Sequence, residues 1–300
     1  MNSAKKGILF VIVSAVIFGF TPTLTRIAYD EGANGVTMTF LRAALALPFL
    51  FIIMKVRKIS FAASPAEIRD LLLAGLAVTA TTILLYSSFA YIPVGEATTL
   101  HFIYPALVSM GCVFFYKDKL TKPILIALIL SIIGVSLFSE DLSFDNMENG
   151  ASLGFLLALS AGFTFAFYVV YVDKSSLRRI PTPKITFALC VITALFSGVY
   201  GGSGFAGGLS FGLSFKGWIC AWVVALLVSL VAVTCLQLGI KYTGAATAAI
   251  LSTFEPITSV VCGALFLRES LSFPKLIGCA CIIVSVLLVT SRGSSFTARS

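Results

Sequence analysis

The chain has 300 residues, 58% of them hydrophobic and 11% charged. Soluble domains carry about 25% charged residues, so this composition excludes a water-exposed globular enzyme and requires lipid as the solvent. The net charge of +8 does not mark a nucleic-acid binder, because the lysines and arginines are dispersed through short links between apolar runs.

In chain order, apolar stretches of membrane-crossing length run over about 7–27, 35–54, 70–90, 95–115, 121–139, 151–172, 184–201, 217–239, 244–266 and 274–291. A helix needs about 20 such residues to cross the hydrocarbon core. The first stretch exceeds the apolar core of a signal peptide, so it is expected to be a retained span. Two links are longer than the rest. The 140–150 link is acidic, with Glu140, Asp141, Asp145 and Glu148 and no basic residue. The 201–216 link is rich in glycine and is expected to be mobile. The cysteines lie in or beside the spans. Cys279 and Cys281, two apart on a helix, face different directions, so packing is expected rather than a disulfide or a metal site.

Orientation follows from basic residues. With the N-terminus in the cytoplasm, the inner side collects Lys5, Lys6, Lys55, Arg57, Lys58 and Arg69 from the first links. It also collects Lys117, Lys119, Lys122, Lys174, Arg178, Arg179, Lys184, Lys241, Arg292 and Arg299. The outer side has Arg26, Lys216, Arg268 and Lys275. Both termini are thus expected in the cytoplasm of a cell inner or plasma membrane protein, with 292–300 as a cytoplasmic tail.

A shift of 151 residues lays the ninth and tenth stretches on the fourth and fifth. Tyr91 meets Tyr242, Leu100 meets Leu251, Pro105 meets Pro256, Asp118 meets Glu269 and Pro123 meets Pro274. A mid-span proline, an acid after the span and a helix-starting proline recur together, so the chain reads as two units, 1–140 and 150–291. Five spans per unit make the second inverted relative to the first. The segment ATAAILSTFEPITSVVCGALFLRESLS (246–272), its weaker copy ATTLHFIYPALVSMGCVFFYKDKLT (97–121), and Arg42 within TFLRAALALP (39–48) resemble the drug/metabolite transporter superfamily, EamA type. The resemblance covers essentially the whole chain. It implies an all-α membrane protein of ten transmembrane helices in an inverted five-plus-five repeat. It also implies a central cavity walled by spans 1, 3, 4, 6, 8 and 9, with 5 and 10 outside, and export of a small metabolite. The copies differ where Tyr104 stands in place of Glu255.

A polar stripe at helical spacing inside a span points away from lipid. The ninth span carries Ser252, Glu255, Pro256 and Ser259; the fourth carries Thr98, His101, Tyr104 and Pro105. Thr79, Thr82, Tyr86 and Phe89 share a face of the third, and Tyr86 is matched by Gln237 on the eighth. The first offers Ser14, Phe18, Thr21 and Thr25; the sixth offers Ser160, Thr164, Phe167, Tyr168 and Tyr171. From these, Glu255, His101, Tyr104, Tyr86, Gln237, Tyr168, Ser252, Thr98, Phe18 and Thr21 are the candidate substrate-binding residues. Glu255 falls near mid-span, where an acid is costly and usually functional, and His101 is the single histidine. Pro105 and Pro256 can kink matched helices as gates or as static bends. Arg42 and Glu96 lie at similar depth, and a structural Arg42–Glu96 pair is expected over a functional one.

The sequence has no P-loop, HExxH or GxSxG motif. No catalysis, cofactor or metal is therefore expected. The leading expectation is a secondary transporter exporting a small amphipathic metabolite, such as an amino acid, by alternating access. A proton-coupled exporter of drugs or lipophilic cations is the first alternative, with Glu255 as proton carrier. A lipid-handling or scaffold protein without a solute cycle is the second. The expected partners are the solute, the lipid bilayer and, in the first alternative, protons; nucleic acid is excluded, and no feature specifies an oligomer.

Overall fold

The computed structural model describes residues 3–92, 94–118, 121–137, 151–203, 208–266 and 272–291. The acidic 140–150 link, Glu269 and the 292–300 tail lie outside them. Among the described residues the chain is helical and contains no strand. Among the described residues, eight helical segments are long and apolar enough to cross a membrane, and two shorter apolar helices stand where the fifth and tenth spans were expected.

The first segment is one helix, α1 (Ser3–Asp30). The second is α2 (Gly35–Ala44) followed by α3 (Leu47–Val56). The third, α4 (Pro65–Ser88), starts earlier than its hydropathy suggests. Ser64 Oγ accepts from the Glu67 N–H at 3.3 Å and the Glu67 carboxylate accepts from the Ser64 N–H at 3.0 Å. This reciprocal cap, with Pro65 in the first turn, carries the helix past its apolar part. The fourth segment is α5 (Val94–His101) and α6 (Tyr104–Tyr116), followed by α7 (Lys122–Ser136). Then come α8 (Ala151–Lys174) and α9 (Thr182–Gly202). The eighth span is α10 (Phe215–Val223), a π-helical stretch over Val224–Ala232, and α11 (Val233–Thr243). Last come α12 (Ala245–Ser252), α13 (Glu255–Phe266) and α14 (Phe273–Ser291).

Three expected continuous spans are therefore interrupted, each beside a proline. Proline has no N–H to give the carbonyl four residues back. The chain tightens at Leu45–Ala46 before Pro48, at Phe102–Ile103 before Pro105 and at Thr253–Phe254 before Pro256. The last two breaks are 151 positions apart, so the sequence repeat carries through to backbone geometry.

Helices approach closely where a side chain is missing. A Cβ on Gly7 of α1 would lie 2.6 Å from Tyr242 Cβ, and one on Gly154 of α8 would lie 2.8 Å from Tyr91 Cβ. Tyr91 and Tyr242 are repeat-matched, so the opening turns of α1 and α8 dock on equivalent corners. Small residues serve this purpose in lipid, where close van der Waals contact replaces the hydrophobic drive. α7 and α14 pack on each other, through Gly134 against Gly278 and Cys281 and a Ser285 hydroxyl donated to the Ala127 carbonyl at 2.7 Å. Neither contributes to the central cavity.

The two ends of the bundle differ. At the basic end Asp70 accepts from Tyr171 Oη at 2.8 Å and from the Ser176 hydroxyl at 2.7 Å. Lys174 pairs with Asp118 at 2.6 Å, Arg178 with Asp173 at 2.5 Å and Lys184 with Glu67 at 3.4 Å. Asp173 also accepts from the Ala245 N–H at 3.2 Å, at the positive start of α12. At the opposite end the glycine-rich link departs from expectation over 208–216, because the α1–α2 turn supplies partners for its backbone. Asn34 Nδ2 donates to the Gly208 carbonyl at 3.0 Å and the Ser210 N–H donates to Thr37 Oγ1 at 2.9 Å. Ser214 Oγ donates to the Glu31 carboxylate at 2.5 Å, and Lys216 pairs with it at 3.4 Å.

Candidate functional site

Between these ends lies a cavity of about 90 Å³. α1 contributes Phe18, Thr21 and Pro22; α4 contributes Val78, Thr81, Thr82, Leu85 and Tyr86, with Phe89 just beyond it. Thr98 and His101 come from α5 with Phe102 after it, and Phe165 and Tyr168 from α8. α11 supplies Val233 and Leu236, α13 supplies Glu255, and α2 supplies Arg42.

Of the sequence candidates, Phe18, Thr21, Tyr86, Thr98, His101, Tyr168 and Glu255 meet in this space. Gln237 and Tyr104 do not line it. Gln237 is fully buried one layer behind the wall, where its Nε2 donates to Tyr168 Oη at 3.0 Å and its Oε1 accepts from Thr186 Oγ1 at 3.2 Å. Its repeat match to Tyr86 is therefore one of position and not of exposure. Tyr104 lies under the floor, its ring 4.8 Å from Phe165 and 5.4 Å from His101. Its bulk fixes the aromatic face that Phe165 and His101 present. Ser252, the last residue of α12, is buried, and its hydroxyl donates back to the Ala248 carbonyl at 2.9 Å. Phe167 is 47% exposed and stacks on Tyr171 at 5.1 Å, outside the cavity.

Glu96 is half-buried in the first turn of α5 and is not among the cavity-lining residues. Arg42 Nε donates to Ser229 Oγ at 3.2 Å. Ser229 sits on the π-helical stretch. The wider π turn also presents the Ala232 carbonyl to α1, where Ser14 Oγ donates to it at 2.8 Å. Such stretches are frequent at functional sites. Here one holds a cavity side chain and a neighbouring span together.

Both proline breaks border the cavity. Pro105 and Pro256 sit in the first turns of α6 and α13, directly after His101–Phe102 and beside Glu255. Glycines on the neighbouring helices meet them: Gly19 would place a Cβ 2.7 Å from the Glu255 carbonyl oxygen, and Gly162 one 2.9 Å from that of His101. Several polar atoms stay buried without a protein partner, among them Thr21 Oγ1, Thr25 Oγ1, Tyr86 Oη and His101 Nδ1. Three of these belong to residues that line the cavity, although the atoms themselves are buried.

Arg42, Thr81 and Phe165 were missed as lining residues by the polar stripes. Phe165 lies three positions before Tyr168 and so shares its face, but an isolated aromatic in an apolar helix looks like a lipid contact. Thr81 is tied to Thr164 at 2.7 Å. Among the described residues no cluster of His, Cys, Asp and Glu could hold a metal ion.

The helices long and apolar enough to cross a membrane surround a polar and aromatic cavity. The sequence profile of the EamA-like transporter family matches residues 5–140 and again 152–291, so the chain belongs to that family, which is one of transporters and not of enzymes. It is similar to an uncharacterized transporter of Synechocystis sp., 24% identical over 96% of this chain and 94% of the relative. It is also similar to one of Archaeoglobus fulgidus, 26% identical over 94% of this chain and 97% of the relative. One solved crystal structure superposes with a TM-score of 0.82 over 98% of this chain and 99% of its own, at 16% identity, a likeness of fold alone.

Proposed function

We propose that the protein is a secondary transporter that exports a small amphipathic metabolite, of which an amino acid is the leading example, across a cell inner or plasma membrane. Ten spans in two inverted units of five form its bundle, with both termini in the cytoplasm. The observation that carries this reading is the central cavity, which combines Arg42 and Glu255 with hydroxyls and aromatic rings. The basic end is then cytoplasmic, and its ion pairs close the cytoplasmic path while the cavity lies towards the other face. Alternating access proceeds by rocking one unit against the other, with the matched breaks before Pro105 and Pro256 as its bending points. Glu255, His101, Tyr86, Tyr168, Thr98, Phe18 and Thr21 contact the solute. Tyr104, Gln237 and Ser252 hold that wall from behind.

A proton-coupled exporter of lipophilic cations is the second reading, supported by Glu255 beside the aromatic wall. Arg42 in the same cavity weighs against it, since a cationic solute would meet a like charge. Counterflow in proteoliposomes decides between them. Labelled amino acid exchanging without a pH gradient supports the first reading, and uptake of a lipophilic cation dependent on a pH gradient and on Glu255 supports the second. No solute-dependent flux of either kind refutes both.

A further inference from the structure

At the basic end, α3 closes on three exposed cations, Lys55, Arg57 and Lys58, and no acidic residue follows before Glu67. Other basic residues of this end are committed to carboxylates. Arg69 pairs with Asp70, Lys184 with Glu67, Lys174 with Asp118 and Arg178 with Asp173. Among the described residues no salt bridge holds Lys55, Arg57 or Lys58. Like charges this close in sequence repel one another, and a bound anion relieves that repulsion.

The cluster is also placed and ordered. Phe51, Ile52 and Val56 leave an exposed apolar face on α3, with Val56 75% exposed, and such a face on a spanning helix turns to lipid tails. The cations begin where that face ends. Lys55 Nζ lies 5.6 Å from the ring centroids of both Phe51 and Phe61, and those rings are 5.4 Å apart. Phe61 is brought back over α3 from the α3–α4 link. Its ring meets Phe187 of α9 edge-on at 5.5 Å, and the next carbonyl, of Ala62, accepts from Lys184 Nζ at 2.5 Å. The Ile59 N–H closes the helix end on the Met54 carbonyl at 2.9 Å, with Lys58 at φ 53°, where glycine is the usual residue. A helix C-terminus and a cytoplasmic link each favour basic residues. Neither calls for a pair of exposed rings set around the ammonium group.

We propose that Lys55, Arg57 and Lys58, with the Phe51–Phe61 ring pair, form a binding site for an anionic phospholipid. The cations take the headgroup phosphate, for which Arg57 offers a planar fork of donors and the lysines compact charges. The rings and Val56 take the first part of the acyl chains. A neutral phospholipid brings its own cation to the phosphate and gains less from this cluster. The leaflet is the cytoplasmic one if the proposed orientation holds; the site itself does not depend on that orientation.

The test uses purified full-length protein in neutral detergent, with phosphatidylglycerol and phosphatidylcholine of the same acyl chains as probes. Bound lipid is counted by native mass spectrometry and its effect read by thermal shift. The expected result is tighter binding of phosphatidylglycerol than of phosphatidylcholine. Each single change, Lys55→Gln, Arg57→Gln or Lys58→Gln, should weaken phosphatidylglycerol about fivefold, the worth of one basic side chain at an anionic surface. Phe61→Leu should weaken it with no change of charge. A control protein with Lys5→Gln, Lys122→Gln and Arg179→Gln loses three exposed charges elsewhere at the basic end and should bind as the wild type does. If a glutamine variant does not fold, Lys58→Gly decides alone, because glycine suits the left-handed backbone there. Equal binding of the two lipids by the wild type, or full preference in the cluster variants, overturns the site. Equal loss in the control protein also overturns it, since the attraction would then be diffuse. Glycerol 1-phosphate protecting as well as the lipid would make it a site for free phosphate and overturn the lipid assignment. Because binding is read in detergent, an inverted orientation in cells would leave the site standing, and failure of binding would leave the orientation and the transporter reading untouched.

Discussion

Ser176 donates both its backbone N–H, at 3.2 Å, and its hydroxyl, at 2.7 Å, to one carboxylate oxygen of Asp70. Asp70 lies in the second turn of α4 in the first half of the chain; Ser176 belongs to the turn after α8 in the second. Tyr171 and Arg69 donate to the other oxygen, so a nearly fully buried carboxylate ties the halves at the basic end. Hydrogen bonds to a charged group contribute about 1.5–3 kcal/mol each. Asp70→Asn keeps the shape and removes the charge. Amide exchange of residues 173–178 should rise about tenfold or more, since ~1.4 kcal/mol corresponds to one decade. Unchanged protection would mean the tie does not hold this end closed.

Gly19 faces α13 so closely that an added Cβ would lie 2.5 Å from Thr258 Cβ and 2.7 Å from the Glu255 carbonyl oxygen. A backbone atom cannot step aside as a flexible side chain can. Gly19→Ala should therefore push α1 from α13 and cost about 1–3 kcal/mol, seen as a lower melting temperature. Because α1 and α13 both wall the cavity, solute flux should fall with it. A variant with wild-type melting would place the contact elsewhere.

Glu31 anchors the 208–216 link at the opposite end. The Ser214 hydroxyl, donated to its carboxylate, and the nearby Lys216 hold Glu31 below the ordinary carboxylate range. A lowered carboxyl stabilises the tied form above its untied pKa, about 4.3, and the contribution is lost as pH falls through the lowered value. After correction for intrinsic rates, amide exchange of 210–216 should be flat from pH 7 to about 5 and rise under stronger acid. Glu31→Gln should exchange faster at pH 7 and lose that acid dependence. Identical profiles for the two proteins would refute the anchor.

The proposed topology places the 208–216 link outside the cell. Phe211 is 50% exposed on that link. A cysteine introduced by Phe211→Cys, in a chain with its native cysteines replaced, should react with an impermeant maleimide in intact cells. Ser143→Cys in the acidic link should do the same. Protection of both until the cells are opened would invert the orientation.

Hydropathy and repeat spacing were enough to read the helical membrane class, the family and the breaks at Pro105 and Pro256. These are local properties: a run of apolar side chains needs lipid or burial, and a proline lacks its N–H in any fold. Seven of the ten binding candidates reach the cavity because a polar face has little alternative in a membrane. Depth behind that face is another matter. Gln237 and Tyr104 sit on the expected faces, yet neighbouring helices close over them, and only the packing of α8 against α11 and α6 decides that. Arg42 shows the same divide. Its span was plain from hydropathy, but the Ser229 hydroxyl that accepts from it sits on a π-helical stretch of the eighth span, which no local pattern marks. The glycine-rich 208–216 link has the composition of a free loop and is held by Asn34, Thr37 and Glu31. Composition sets how freely a segment can move, whereas the partners that restrain it are brought by residues far away in the chain, and only the tertiary structure supplies those.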